Sequence, residues 1–142
     1  MKRRELFRLL DANLNRAREG LRVCEEAARL FLDSPRLTRC CQRLRYDLEA
    51  AARSLPTREF LRARDSRRDV GRPEERGRVR PHREVFDLLQ ANGKRVQEAL
   101  RVLEEFGRLE FPTQSRRFGA LRFRAYTLEK ELAGALPAVR HR

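Results

Sequence analysis

The segment from Asp11 to Glu26 returns, 79 positions further on, as the segment from Gln90 to Glu105. Flanking residues keep the same offset: Glu5 with Glu84, Phe7 with Phe86, Leu9 with Leu88 and Arg29 with Arg108. Beyond these the offset becomes 77, where Pro35 matches Pro112 and Leu44, Arg45 and Tyr46 match Leu121, Arg122 and Phe123. Self-similarity on this scale constrains a chain more than composition does, because whatever the first half folds into the second half must fold into as well. The change of offset places a two-residue deletion between two elements of each half, so each half is expected to hold a pair of elements.

Leu6, Leu10, Asn13, Ala17, Leu21, Cys24, Ala28 and Phe31 recur at three- and four-residue spacing, and the second half repeats the pattern through Leu89, Asn92, Val96, Leu100 and Leu103. That is helical periodicity. Ser34 followed by Pro35 reads as an N-cap and a first-turn proline, and Pro81 and Pro112 are expected to open the third and fourth long helices in the same way. Helices are thus predicted near 5–32, 35–54, 82–109 and 113–134, in an all-α four-helix bundle built from two repeated helical hairpins, 5–54 and 82–134. Two apolar stripes that cover each other make this the economical arrangement. One domain is expected over the 142 residues. The connection from 55 to 80 is long and charged, with Pro56, Gly71, Pro73 and Gly77, and one short helix is predicted around Arg58 to Ala63.

Charge sets the next limit. The formal net charge is +13, and of the Lys and Arg only Lys2, Lys94 and Lys130 are Lys. Arginine favours forked contacts to phosphate. Nucleic-acid binding is nevertheless an unlikely partner class on this reading: Glu and Asp are interspersed with the Arg, only two Tyr and no Trp are present, and no aromatic-basic face emerges. No apolar run approaches the ~20 residues of a membrane span, and Glu5 interrupts any signal-peptide core, so a soluble cytoplasmic protein is expected. Cys24, Cys40 and Cys41 lack C-x-x-C spacing and read as core thiols, and His82 and His141 lack any metal-binding spacing. No P-loop or G-x-G-x-x-G cradle occurs.

The helical wheel places Asn13 near the middle of the apolar arc and Arg16 inside it, among Leu9, Val23 and Ala27; Asn92 and Arg95 occupy the same places in the repeat. Glu19 and Glu98 follow each Arg by three residues, at the edge of the arc. Two readings fit. One is a buried ion pair that fixes helix register; the other, which we take as the expectation, is a polar pocket between the repeats in which a bound phosphate answers the Arg charge. Glu25, Glu26, Glu104 and Glu105 lack the companion Glu-x-x-His of di-iron bundles and are expected to pair with Arg22 and Arg101 on the outer face. In the connection, Arg64, Asp65, Arg67, Arg68 and Asp69 precede Gly71. Two carboxylates four residues apart amid Arg could hold Mg2+ and the phosphates it bridges, with Gly71 supplying a positive-φ turn.

These motifs, Asn13 with Arg16 and Glu19, Asn92 with Arg95 and Glu98, and Arg64, Asp65, Asp69 and Gly71 between them, resemble the small helical domain found alone or at the N-terminus of some bacterial thiamine phosphate synthases. That family is regarded as a monofunctional hydroxymethylpyrimidine-phosphate kinase. The resemblance runs from about residue 5 to about 130 and implies transfer of the γ-phosphoryl group of ATP to a pyrimidine phosphate, with ATP and Mg2+ required. On that basis Arg16, Arg95, Asp65 and Asp69 are expected to be catalytic, with Asp65 and Asp69 also holding the metal. Asn13, Asn92, Glu19, Glu98, Arg64 and Gly71 are expected to contact substrate. Thiamine phosphate synthase is an implied partner, and a homo-oligomer is left open. A noncatalytic docking module and a basic RNA-binding protein are the alternatives.

Overall fold

The computed structural model describes residues 1–72 and 81–137. Helix α1 spans Arg3–Glu26 and runs into a π turn at Ala27–Phe31; α2 spans Pro35–Arg53, α3 Thr57–Ala63, α4 Val85–Gly107 and α5 Pro112–Ala135. No strand occurs among the described residues. The four long helices are the two expected hairpins. Ser34 caps α2 as read from the sequence, its Oγ accepting the Leu37 N–H at 3.1 Å, with Pro35 in the first turn. Pro112 likewise opens α5. Pro81 does not open α4: the chain stays extended at Glu84, and the helix starts at Val85, where the apolar seam begins. Pro73, Gly77 and His141 lie outside the described residues.

The two extra residues of the first repeat fall at the α1–α2 junction. There the coil widens into the π turn, and Asp33 takes φ 47°, a left-handed conformation that Asp tolerates better than most side chains. The α4–α5 junction has no counterpart and closes with the Phe111 N–H on the Gly107 carbonyl.

Helices α1 and α4 form the centre of the bundle and run antiparallel. At one end Arg3 pairs with Glu110 at 2.8 Å and the Phe7 and Phe111 rings lie 6.3 Å apart. At the other, Cys24 shares a cavity wall with Phe86 and Leu89. Gly20 sits at the crossing: a Cβ there would lie 2.7 Å from Val96 Cγ2 and 3.0 Å from the Asn92 carbonyl, so the absence of a side chain lets the two backbones approach. Helices α2 and α5 cover one side of this pair. Leu10, Leu14, Ala17 and Leu21 of α1, Leu44 and Leu48 of α2, Leu100 and Leu103 of α4, and Leu121 and Leu128 of α5 all belong to one continuous core. Two buried ion pairs obey the repeat: Arg45 with Glu25 (2.9 Å) and Arg122 with Glu104 (3.0 Å).

The connection is more than a solvated linker. The short helix α3 buries Phe60 against Phe7, with ring centroids 4.9 Å apart, and so extends the core at the end of α1.

Candidate functional site

Antiparallel α1 and α4, related by an internal two-fold, must present equivalent flanks on the same side of the pair. Arg16 lies ~120° round the helix from the Leu10, Leu14, Ala17, Leu21 line, on the flank opposite α2, and the same holds for Arg95 relative to α5. Both arginines therefore stand on the open face of the central pair, beside the half-buried Leu9, Val23, Leu88 and Val102. The close approach of Gly20 to Asn92 and Val96 sets the register. It puts Arg16 opposite Glu98, and Glu19 opposite Arg95, in a two-fold quartet of alternating charge.

The expectation that Arg16 and Arg95 are inward is corrected by this placement. Arg16, Glu19, Arg95 and Glu98 are all exposed. The wheel drew too wide an arc, because Leu9, Val23 and Ala27, counted as core, are only half-buried flank residues. Neither Arg is answered by the Glu three residues on: among the described residues, no ion pair joins the four. The asparagines do lie deeper. Asn92 is buried and Asn13 half-buried, and each side-chain amide donates to the carbonyl four residues back, Asn13 to Leu9 and Asn92 to Leu88, both at 2.9 Å. Those bonds fix the amide orientation and leave each Oδ1 towards the Arg side; Arg95 Nη1 reaches Asn92 Oδ1 at 3.5 Å. Glu25, Glu26, Glu104 and Glu105 do pair with Arg22 and Arg101 as expected.

The crossover motif is tied to α1 and not to α4. Arg64 forms a forked pair with Asp11, Nε to Oδ2 at 2.7 Å and Nη2 to Oδ1 at 2.8 Å. Asp11 is only 7% exposed, so this carboxylate has almost no other partner. The hydrogen bond to Asp11 is the chief reason the Arg64 guanidinium is held above its ordinary pKa. Arg64, expected to contact substrate, has its fork occupied in holding the connection against α1. Downstream, Asp65 and Asp69 join Arg64, Glu5, Arg8, Leu9, Asp11 and Ala12 around one cleft of about 280 Å³. Arg16 lies one helical turn beyond Ala12 on α1 and does not line this cleft.

Within the motif, Asp65 Oδ1 accepts the Arg68 N–H at 3.3 Å and Asp69 Oδ1 accepts the Gly71 N–H at 2.8 Å. Both aspartates thus shape turns, and each keeps a second oxygen for a ligand. Gly71 does not have the positive φ expected of it; no glycine among the described residues does, and a Cβ there would meet only Asp69 Oδ1 at 3.2 Å. No group of three or more His, Cys, Asp and Glu side chains suited to a metal occurs among the described residues. Among the described residues the motif offers only part of a cation's oxygen shell, and a cation held there would take further oxygens from a phosphate ligand and water.

Asp11 and Arg8 are the residues that sequence reasoning passed over. Asp11 stood in the repeated segment, and the signal was its mismatch: the second repeat has Gln90 there, so the charge serves something the second repeat lacks. Cys24 and Cys41 are buried and unbridged, with burial pushing the thiols up to about 11 and about 12, which leaves them protonated and without a nucleophilic role.

The model of the ThiD2 family matches residues 8–131, and the chain belongs to that family. It is 44% identical over 130 residues to the thiamine-phosphate synthase of Synechocystis sp. PCC 6803, covering 92% of this chain and 37% of that protein. It is 42% identical over 129 residues to the thiamine-phosphate synthase of Nostoc sp. PCC 7120 (91% and 36%) and 34% identical over 129 residues to that of Rhodopirellula baltica (91% and 34%). The chain thus spans about a third of the length of these curated relatives. No solved structure matches it. None of its described helices is long and apolar enough to cross a membrane.

Proposed function

We propose that this chain acts in thiamine biosynthesis as an ATP-dependent kinase that converts hydroxymethylpyrimidine phosphate to its diphosphate. The observation that carries this reading is the open face of α1 and α4, where two exposed arginines matched by the repeat make no ion pair among the described residues, beside a cleft further along α1 that Asp65 and Asp69 line. A reaction between two phosphate-bearing molecules needs two cationic anchors, and the attacking group is already an anion, so neutralisation and in-line placement supply most of what the protein must do. Arg16 and Arg95 are the anchors. Asn13 and Asn92, with orientations fixed by their backbone bonds, are placed to direct polar atoms of the bound molecules. Glu19 and Glu98, beside the arginines but not paired with them, would repel a wrongly seated phosphate.

Asp65 and Asp69 are the residues that would hold Mg2+, which when bound neutralises charge on the nucleotide phosphates. The Asp11–Arg64 fork keeps that segment against α1. The relatives named as thiamine-phosphate synthases support the pathway, since such an enzyme consumes a pyrimidine diphosphate.

The test is incubation of the full chain with ATP, Mg2+ and either hydroxymethylpyrimidine or its monophosphate, followed by product analysis. Diphosphate formed from the monophosphate alone is the expected result. No product from either acceptor, with binding to a thiamine phosphate synthase, would instead favour a docking module.

A further inference from the structure

The outer faces of α2 and α5 take no part in the open face of α1 and α4, which lies on the opposite side of the bundle, and they carry a pattern of their own. Arg39, Tyr46 and Arg53 follow one another at seven-residue steps on α2, and Arg116, Phe123 and Lys130 do so on α5, at the 77-residue offset of the repeat. Seven residues are nearly two full turns, so each trio forms a line down one helix face, with ~10 Å between neighbours. All six side chains are exposed. Tyr46 and Phe123 are 58% and 63% exposed, so both rings offer a free face to a partner.

The rings are held in place from beneath. Arg45 lies over Tyr46 at 4.9 Å and Arg122 over Phe123 at 5.0 Å, and each of these arginines is anchored by a buried carboxylate, Glu25 or Glu104. Tyr126 packs edge-on against Phe123 at 5.6 Å and accepts a hydrogen bond from Arg122 at 2.8 Å. Negative charge on this side is already matched: Asp47 pairs with Arg124 at 2.6 Å and Glu131 with Arg36 at 3.3 Å. Arg39, Arg43, Arg53, Arg116 and Lys130 make no ion pair among the described residues.

We propose that the α2–α5 face binds single-stranded nucleic acid, with bases stacking on Tyr46 and Phe123 and backbone phosphates meeting the flanking Arg39, Arg43, Arg53, Arg116 and Lys130. Charge complementarity selects a polyanion, and a second copy of the same face is excluded by like charge. Exposed rigid rings spaced between cations select a polyanion that has π faces of its own. The positions beside the rings are Ala50, Ala120 and Thr127, so among the described residues no aliphatic wedge stands there to enter a bilayer. The sequence hides this face because its members lie seven residues apart on two separate helices.

The test is fluorescence anisotropy of a labelled 20-nucleotide oligo-U RNA titrated with the full chain in increasing KCl, beside an RNA duplex of equal length. The single strand is expected to bind more tightly than the duplex. Log affinity is expected to fall against log salt with a slope of about −3 to −4, for roughly five phosphate contacts on a single strand. The double substitution Tyr46→Ala with Phe123→Ala is expected to weaken binding on the order of tenfold to a hundredfold while the far-UV circular dichroism is retained. Tyr46→Leu with Phe123→Leu removes the π faces while keeping apolar bulk, and gives the same loss if stacking is the cause. Arg39→Gln with Arg116→Gln should flatten the salt slope. Equal affinity for duplex and single strand, an unaltered affinity in the leucine variant, or competition by polyglutamate or phosphatidylserine vesicles that ignores both rings would each overturn the proposal.

Discussion

At equivalent places the first repeat has Asp11, Arg18 and Cys24 where the second has Gln90, Gln97 and Leu103. The apolar frame is shared, as are the asparagines on their own carbonyls and the buried Glu–Arg pairs. The polar differences have visible consequences. Asp11 receives Arg64 and so docks the connection on α1; Gln90 receives nothing comparable. Arg18 pairs with Glu49 on α2, whereas Gln97 bonds to Glu129 on α5. A duplicated frame thus presents two matched arginines, and an unmatched substitution docks the acidic connection on the first repeat only. On the function proposed above, that asymmetry would suit a transfer between two unlike phosphate compounds.

The largest expected effects concern what the repeats share. Arg16→Ala and Arg95→Ala should each lower turnover on the order of a hundredfold, because a charge that stabilises the transferring group has been lost. Stability should change by no more than about 0.5 kcal/mol, since both side chains are exposed and unpaired. Steady-state kinetics with ATP and the pyrimidine phosphate varied separately would sharpen the comparison: loss confined to different substrates in the two variants assigns one compound to each repeat. Wild-type rates in both variants would remove the open face from the mechanism.

Next in size is the feature the repeats do not share. Asp65→Asn and Asp69→Asn should each reduce turnover roughly tenfold or more at limiting Mg2+ and raise the concentration needed for half-maximal rate. Asp69→Asn should show the additional effect of loosening its turn, through the bond from the Gly71 N–H. Unchanged Mg2+ dependence in both would reduce the docked segment to a structural strap.

Much of the frame was readable because hydrophobic periodicity is local and, here, written twice. The helix types, the Ser34 cap and the short helix near Phe60 all follow from neighbours within a few residues. Depth on the wheel was not readable in the same way. Whether Arg16 is inside or beside the core depends on where α4 lies, and the glycine at position 20, which sets that crossing, looks from the sequence like any helix-weakening residue. The role of Arg64 was hidden for a related reason: its partner, Asp11, is 53 residues away, and a charged loop offers many candidate pairings of equal local merit.

The crossing itself separates the repeats in stability. Gly20→Ala places a methyl group 2.7 Å from Val96 Cγ2 and 3.0 Å from the Asn92 carbonyl, so the backbones of α1 and α4 must part. A net loss of about 1–2 kcal/mol is expected, the strain outweighing the helix-propensity gain of about 1 kcal/mol. Gly93→Ala on α4 meets only the flexible Glu129 carboxylate at 3.3 Å, and should be neutral or stabilising by up to about 1 kcal/mol. Urea midpoints of the two variants check the contrast, and equal shifts would mean that the close approach at Gly20 is not a feature of the folded protein.

The smallest effect is alkaline. Cys24 and Cys41 belong to the first repeat only, Leu103 and Phe118 standing in their places in the second. Burial raises the two thiols from 9.0 to about 11 and about 12, with Glu129 adding to the first and Cys24 and Glu25 to the second. Folded pKa values above unfolded ones mean that the unfolded chain gives up its protons first as pH rises. Their contribution is therefore fully present below about pH 9 and is lost progressively above it, reaching on the order of 1 kcal/mol per thiol at pH 10. The comparison that isolates the two thiols is between the wild type and Cys24→Val with Cys41→Val. Urea unfolding at pH 8 and pH 10 should show a smaller alkaline loss in the double variant. An identical loss in both proteins would mean that the thiols are reached by solvent in the folded state, and that the first repeat opens where the second stays shut.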